Sequence, residues 1–396
     1  MDFVIRNATI ATLDGVRDIG IDSGRIVQIS DHIEIRGVDE IHAQGFLVSP
    51  GFMDVHMHLD KALIVWGKWE AEEAKRIAHP DQPVPTRKPI SVADVRDRAI
   101  RTAQMCVLNG TTTLRTHVDI TVPGGLTAMH GVLAAKEACR DWISMQINPF
   151  PIRGFDGVED ETEELMRSAI ELGADLIGGV PDADTNGVEH VDRIFSLAKE
   201  YDLDIDFHTD MIPAPEPFLL PYIAEKALKQ GWEGRVLAGH CFALGHVTPE
   251  ARQAAIQKCA EAKVSICATP FATFQERLID PINGGVNATY MSDNIRDTWS
   301  PYGNADMLQL ALFAGRLGSW RTSREIDELF DIGTLGAARA IGLGGKAGVE
   351  VGNPADLVIL QARSRHEAIV TQAEKLWVFK NGNPVVCSGE LLMEPL

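Results

Sequence analysis

The stretch Leu47–His58, which reads LVSPGFMDVHMH, combines an apolar run of strand length with two histidines at its end. Alternate side chains of a β-strand point to the same face, so His56 and His58 can both point into an enclosed interior while Met57 packs outward. The stretch therefore predicts a buried strand whose carboxyl end carries two imidazoles. Whether they hydrogen bond or bind a ligand depends on what the rest of the chain brings beside them.

Seven more runs of strand length follow at spacings of roughly thirty residues. Eight strands at this spacing match a (β/α)8 barrel of about 250 residues. These runs are Thr111–Val118, Ile143–Phe150, Ala174–Val180, Leu203–His208, Arg235–His240, Lys263–Thr269 and Val286–Asp293. Most gaps between them carry a helical pattern, such as the four-residue apolar repeat of Val92–Leu108. An open doubly wound sheet shows the same alternation. However, no G-x-G-x-x-G follows the first strand.

Both ends of the chain are rich in short strands and tight turns. Arg25–Ile29 near the start and Lys375–Phe379 near the end are strand-like, and Asn-Gly follows the latter as a hairpin signal. We therefore predict an α/β protein: a TIM barrel over residues 50–344, with a small β-sandwich domain assembled from residues 1–49 and 345–396.

Composition restricts the classes of partner. The 396 residues include 37 Lys+Arg and 56 Asp+Glu, a net charge of −19, which disfavours nucleic acid or an anionic membrane as the main partner. No apolar run reaches the roughly 20 residues of a membrane span, and the N-terminus lacks the pattern of a secretory signal. The six cysteines are scattered without a C-x-x-C pair, so reduced thiols and a cytoplasmic location are expected.

The predicted strand ends concentrate metal-ligand chemistry. His56 and His58 end the first strand, His208 the fifth, His240 the sixth and Asp293 the eighth. Reacting groups of TIM barrels lie at these carboxyl ends. Three imidazoles and a carboxylate suit Zn²⁺ or Fe²⁺ with a bound water, whose pKa the ion lowers toward neutrality. Asp293 is then placed to take the proton of the water, and His240 to donate to the developing oxygen or nitrogen.

These motifs resemble the amidohydrolase superfamily, in particular its cytosine deaminase-like branch. The resemblance is carried by residues 50–61, 115–119, 206–208, 239–240, 292–299 and 348–358. It implies that His56, His58, His208 and Asp293 bind one divalent metal ion, and that His240 stabilises the oxyanion.

A second metal ion is not expected from the resemblance. Binuclear members of the superfamily bridge two ions with a carboxylated lysine on the fourth strand, and Ala174–Val180 contains no lysine. A mononuclear site is therefore favoured.

The sequence departs from the cytosine deaminase pattern at two places. Met211 stands where those enzymes carry a proton-shuttling glutamate, and Asp210 either replaces it or forms a salt bridge at the start of a loop. Lys61 resembles instead the N-isopropylammelide amidohydrolases, which are triazine-degrading relatives of the branch. This lysine has a depressed pKa near the metal ion, holds a substrate oxygen, or is an exposed charge at the strand end.

Other side chains are candidates for contact with the substrate or for support of the site. The candidate substrate contacts are Trp66, Trp69, Ile152, Phe155 and Trp299. The aromatic ones could stack on a flat ring, and Ile152 stands where cytosine deaminases carry a glutamine that contacts the pyrimidine. His117 and Asp119 end the second strand and either orient the site or form ordinary buried hydrogen bonds.

We therefore expect a hydrolase of carbon–nitrogen bonds that removes an amino or alkylamino group from a small nitrogen heterocycle, such as a pyrimidine or triazine. Hydrolysis of a cyclic or linear amide is the alternative. A barrel without catalysis is a third possibility, and the intact ligand set disfavours it. Superfamily relatives are often oligomers, which is the basis for expecting a homo-oligomer.

Overall fold

The computed structural model describes residues 1–64, 90–212, 217–270 and 278–392. In these residues the strands, in chain order, are β1 (Phe3–Ile10), β2 (Val16–Asp22), β3 (Arg25–Ser30), β4 (Asp39–His42), β5 (Leu47–Pro50), β6 (Phe52–Met57), β7 (Thr111–Asp119), β8 (Ser144–Phe150), β9 (Ile177–Gly179), β10 (Ile205–Thr209), β11 (Val236–His240), β12 (Ser265–Ala268), β13 (Ala288–Tyr290), β14 (Leu357–Leu360), β15 (Lys375–Lys380), β16 (Asn383–Cys387) and β17 (Glu390–Leu391).

Helices separate most of the barrel strands. The α-helices are Val92–Leu108, Thr127–Ala138, Glu159–Glu171, Gly187–Tyr201, Leu220–Gln230, Pro249–Ala262, Ile279–Asn283, Met307–Leu317, Ser323–Asp331, Ala337–Ala340 and Arg365–Thr371. Short 3₁₀ turns cover Pro181–Ala183 and Phe242–Gly245, and a π-helical turn covers Ile332–Gly336. The predicted helix over Val92–Leu108 begins where the Ser91 side chain accepts from the Asp94 amide.

The strands β6–β13 form the predicted parallel barrel. β6, β7 and β8 pair in one run and β9 to β13 in another. The amide of Asp175 donates to Ile147 O at 3.0 Å between the two runs, and the amide of Asp293 donates to His56 O at 2.9 Å on the opposite side. This second bond closes the barrel and places Asp293 beside the end of β6.

The stretch Leu47–His58 serves both parts of the fold. Leu47–Pro50 pairs with β1 and β14 in the terminal sheet, and Phe52–Met57 enters the barrel. Gly51 separates them, because a Cβ there would lie 2.2 Å from Thr112 Cγ2. A glycine is thus required where the chain passes from one sheet to the other.

Strands from both termini form one nine-stranded sheet in the order β17-β16-β15-β14-β5-β1-β2-β3, with β4 paired to β1. The sheet curls, since the ring centroids of Phe3 on β1 and Phe379 on β15 are 5.2 Å apart although two strands lie between β1 and β15. It encloses an apolar core of its own. The barrel and the small domain from both termini are confirmed; the boundaries at residues 49/50 and 344/345 stay a prediction.

The terminal sheet contains an ion pair whose loss we expect to destabilise it. Arg6 Nη1 lies 2.8 Å from Asp18 Oδ2, and both side chains are buried. Asp18→Ala removes the buried carboxylate that pairs with the guanidinium and should lower the free energy of unfolding by about 3 kcal/mol in a denaturant titration. Glu137→Ala, which breaks the exposed pair with Arg140, should cost less than about 1 kcal/mol. Equal costs would contradict this account.

Candidate active site

Three histidines meet at the carboxyl ends of β6 and β10. His56 Nε2 lies 3.1 Å from His208 Nε2, which lies 3.3 Å from His58 Nε2. All three are buried, and burial lowers the pKa of each, that of His58 to about 4. They are therefore neutral at pH 7, and each offers one ring-nitrogen lone pair.

Asp293 adds a carboxylate oxygen to the three nitrogens. Its Oδ1 lies 3.3 Å from His58 Nε2 and 3.7 Å from His56 Nε2. Its backbone is left-handed, with φ of +59°, just beyond β13. Burial raises the pKa of Asp293, but His240 and His58 outweigh this and hold it at about 2. The group is therefore an anion in the site.

The four atoms fit a divalent metal ion. Tetrahedral ligands at 2.0–2.1 Å from Zn²⁺ lie about 3.3–3.4 Å from one another, close to the separations observed here. The Nδ1 atoms of His56, His58 and His208 are buried without a hydrogen-bond partner among the described residues. His117 and His240 extend the cluster, since each belongs to a trio of possible ligand atoms within 4.8 Å of one another.

His240 stands beside the four side chains. Its ring centroid lies 5.0 Å from that of His208 and 5.2 Å from that of His56. Both nitrogens lack hydrogen-bond partners among the described residues, and burial lowers the pKa of the ring. A neutral imidazole with two uncommitted nitrogens can serve as a proton donor or acceptor at this position.

Lys61 is a buried cation rather than an exposed strand-end charge. Its Nζ lies 2.6 Å from Asp119 Oδ1, and the amide of Asp119 donates to Asp60 Oδ2 at 3.0 Å. Burial lowers the pKa of Lys61, but the charges of Asp119 and Asp60 outweigh it and raise the pKa above its ordinary value. Lys61 thus presents a permanent positive charge close to the histidines.

The sequence reasoning missed Phe150, the last residue of β8. Its ring stacks on His208 with centroids 4.4 Å apart and an interplanar angle of 4°. Lys61 Nζ lies 5.7 Å from the same ring. The position of Phe150 at the carboxyl end of a barrel strand is the sequence feature that could have predicted its place in the site.

A second missed residue is Asp182, in the 3₁₀ turn that follows β9. Its Oδ2 accepts from the Met211 amide at 3.0 Å. Burial raises its pKa, while His240 acts in the opposite direction. The end of another strand thus supplies a carboxylate next to Met211, the position that lacks a glutamate.

Asp210 is bound by two backbone amides. Its two carboxylate oxygens accept from the amides of Leu219 and Leu220, each at 2.9 Å, at the start of the helix Leu220–Gln230. Burial raises its pKa to about 7. These contacts are those of a helix-capping residue and lend no support to the proton-shuttle alternative.

Of the candidate aromatic contacts, Phe155 and Trp299 lie in the described part of the chain, and no ring contact joins them there. The buried Phe155 ring packs on His190 at 5.0 Å and beneath Arg193, on the helix Gly187–Tyr201. Trp299 is 51% exposed, and Ile152 is half-buried. Trp66 and Trp69 lie outside the described residues.

A cavity of about 700 Å³ opens at Asp293 and runs toward the helix Met307–Leu317. It is lined by Thr269, Ser292, Asp293, Asn294, Arg296, Ser300, Pro301, Tyr302, Gly303, Asn304, Ala305, Asp306, Gln309, Leu310 and Phe313. Cavities of this size enclose ligands of drug-like dimensions. The polar wall lies nearest the ligand set, and Leu310 and Phe313 supply apolar surface on the helix.

The family model for amidohydrolases matches residues 39–386. The chain belongs to the amidohydrolase family. It is 37% identical over 393 residues to the N-isopropylammelide isopropyl amidohydrolase of Pseudomonas sp. (strain ADP), covering 97% of both chains.

Two crystal structures are similar over nearly the whole chain. N-isopropylammelide isopropylaminohydrolase from Burkholderia multivorans has a TM-score of 0.89 at 27% identity, with 98% of this chain and 99% of that chain covered. 5-Methylcytosine deaminase from Klebsiella pneumoniae liganded with phosphonocytosine has a TM-score of 0.89 at 27% identity, with 99% and 100% covered.

The comparisons confirm the resemblance, the fold class and the expectation of an enzyme that hydrolyses carbon–nitrogen bonds. Among the described residues, no helix has both the length and the apolar character to cross a membrane.

We expect His208→Asn to lower metal retention by more than about tenfold, because it removes a converging ligand nitrogen. Elemental analysis after desalting measures the loss. His190→Asn is the matched control, since His190 is equally buried but its nitrogens contact Asp184 and the Val180 amide. Equal metal content in both variants would argue against the ligand set.

Proposed function

We propose that this chain hydrolyses the bond between a ring carbon and an exocyclic amino or alkylamino nitrogen of a small heterocycle, a pyrimidine or triazine. The observation that carries the proposal is the convergence of His56, His58, His208 and Asp293 on one point at the barrel mouth. The similarity to an N-isopropylammelide amidohydrolase and a 5-methylcytosine deaminase supports the choice of substrate class.

These four side chains would hold one ion, Zn²⁺ or Fe²⁺. When bound, such an ion supplies Lewis acidity and an activated water at neutral pH. A single ion is proposed because Ala174–Val180 offers no lysine to bridge a second one.

Proton transfer is assigned to two side chains. Asp293 can accept a proton from the attacking water and return it to the leaving amine, because its carboxylate faces the cluster as an anion. His240 can hydrogen bond to the charge that develops on the attacked centre, since both of its ring nitrogens lack other partners among the described residues.

Substrate positioning is assigned to Lys61 and the cavity. The Lys61 ammonium can bind an oxo substituent of the ring, and Asp119 holds it in place. Phe150 is fully buried against His208 and is therefore assigned to holding that imidazole in place. A substituent on the departing nitrogen can extend into the cavity toward Leu310 and Phe313. Asp60 and His117 then support the site without contacting the substrate.

A cytoplasmic location and a homo-oligomer are also kept as proposals. All six cysteines are free thiols, and five of them are buried, which suits a reducing compartment. The oligomer rests on the superfamily resemblance.

The function is tested by incubating the purified protein with aminopyrimidines, amino- and alkylaminotriazines and cyclic amides. We expect release of ammonia or an alkylamine with the ring intact, detected by mass spectrometry. Asp293→Ala should abolish it. Turnover that opens the ring would favour the alternative of cyclic amide hydrolysis and would contradict the deaminase proposal.

Lys61→Met should lower kcat/KM by about 100-fold while the metal content stays unchanged, because a fixed cation is lost from the site. Steady-state kinetics together with elemental analysis measure this. Lys136→Met, which removes a lysine paired with Asp175 at the surface, is the control and should keep normal kinetics. A comparable loss in the control, or none in Lys61→Met, would exclude the assigned role.

Phe313→Ala should lower kcat/KM for an N-alkylated heterocycle about tenfold more than for its amino counterpart, because apolar contact with the alkyl group is lost. The two substrates are compared by steady-state kinetics. Leu317→Ala, on the same helix but outside the cavity lining, should change both substrates equally. An unchanged preference in Phe313→Ala would place the substituent elsewhere.

A further inference from the structure

Three barrel strands repeat one pattern, a charged residue two positions before a histidine. The pairs are Asp54 and His56 on β6, Arg115 and His117 on β7, and Asp206 and His208 on β10. Because alternate residues of a strand share a face, the charged side chains form a layer directly beneath the imidazoles. TIM-barrel interiors are usually filled by branched aliphatic residues at such levels, so a charged layer calls for an explanation.

Arg115 and Asp206 form the centre of this layer. Arg115 Nη1 lies 2.8 Å from Asp206 Oδ2, and both side chains are buried. Arg115 Nε donates to Gln146 Oε1 at 2.9 Å, and Gln146 Nε2 donates to Ile341 O at 3.1 Å. This chain of contacts fixes the orientation of the Asp206 carboxylate.

The second oxygen of Asp206 faces the imidazole layer. Asp206 Oδ1 lies 3.3 Å from His117 Nε2 and 3.9 Å from His56 Nδ1, and it has no hydrogen-bond partner among the described residues. The rings of His56 and His117 stack at 3.7 Å. One uncommitted carboxylate oxygen thus stands beneath two stacked imidazole rings.

We propose that Asp206, held by Arg115, is a positioning residue that selects the Nδ1–H tautomer of His56. A fixed anion attracts the N–H side of a neutral imidazole and repels its lone pair. With the proton on Nδ1, the lone pair of His56 lies on Nε2, the atom that faces His208 and Asp293. Carboxylates beneath metal-binding histidines act in this way in many proteins. The inference rests on the proposed metal centre.

The test follows metal loss from the full-length protein loaded with Co²⁺, after mixing with excess chelator. Asp206→Asn should accelerate the loss about 10- to 100-fold and alter the visible absorption of the bound Co²⁺, because the tautomer is no longer enforced. Asp184→Asn is the matched control. It disrupts another buried Asp–His pair, in which Asp184 Oδ2 and His190 Nδ1 are 2.7 Å apart. It should lower Tm but keep the rate and spectrum of the wild type.

A second variant guards against failure to fold. The combined change Arg115→Met and Asp206→Leu replaces a buried ion pair by apolar side chains, a type of change that proteins often tolerate. It should unfold cooperatively and yet lose Co²⁺ as fast as Asp206→Asn. Retention at the wild-type rate in either folded variant overturns the inference alone. A wild-type protein that retains no Co²⁺ overturns the proposed function and the inference together.

Discussion

The approach of two neutral ring nitrogens, on His56 and His58, to within 3.3 Å of a third, on His208, is the constraint on which the site depends. His56 Nε2 and His208 Nε2 are 3.1 Å apart, and their lone pairs repel unless a cation or a proton lies between them. Small movements would relieve that repulsion, so the surrounding barrel must prevent them. The fold can therefore be understood as a rigid support for an electrostatically unfavourable arrangement that a divalent ion makes favourable.

Rigidity comes from barrel closure and from the layer below. The bond from the Asp293 amide to His56 O joins the last barrel strand to the first, so two groups of the cluster share one backbone contact. Beneath them, Arg115 and Asp206 occupy space that aliphatic side chains usually fill. Lys61 and Asp119 add a second fixed charge pair at the rim. These buried charged side chains cannot reorient into water, so they hold the metal-binding side chains in place.

The periodicity of the sequence predicts the barrel and its strand-end histidines, because buried parallel strands and their carboxyl ends are local patterns. The contacts of a side chain beyond its strand are not local. Asp210 follows His208 by two residues, yet it caps a helix whose first residue lies ten residues downstream. Asp182 contacts the amide of Met211 from the end of another strand. The stacking of Phe150, the last residue of β8, on His208 likewise joins two strands. The glycine break at Gly51 likewise depends on Thr112, which is distant in sequence.

The central claim is that one divalent ion is bound by three imidazoles and a carboxylate. X-ray absorption fine structure of the purified metal-loaded protein tests it most directly. The account predicts imidazole scattering from three histidines, with nitrogen and oxygen ligands at about 2.0–2.1 Å and no second metal nearby. Sulfur ligands, a lack of imidazole scattering, or a second metal at about 3.5 Å would contradict it.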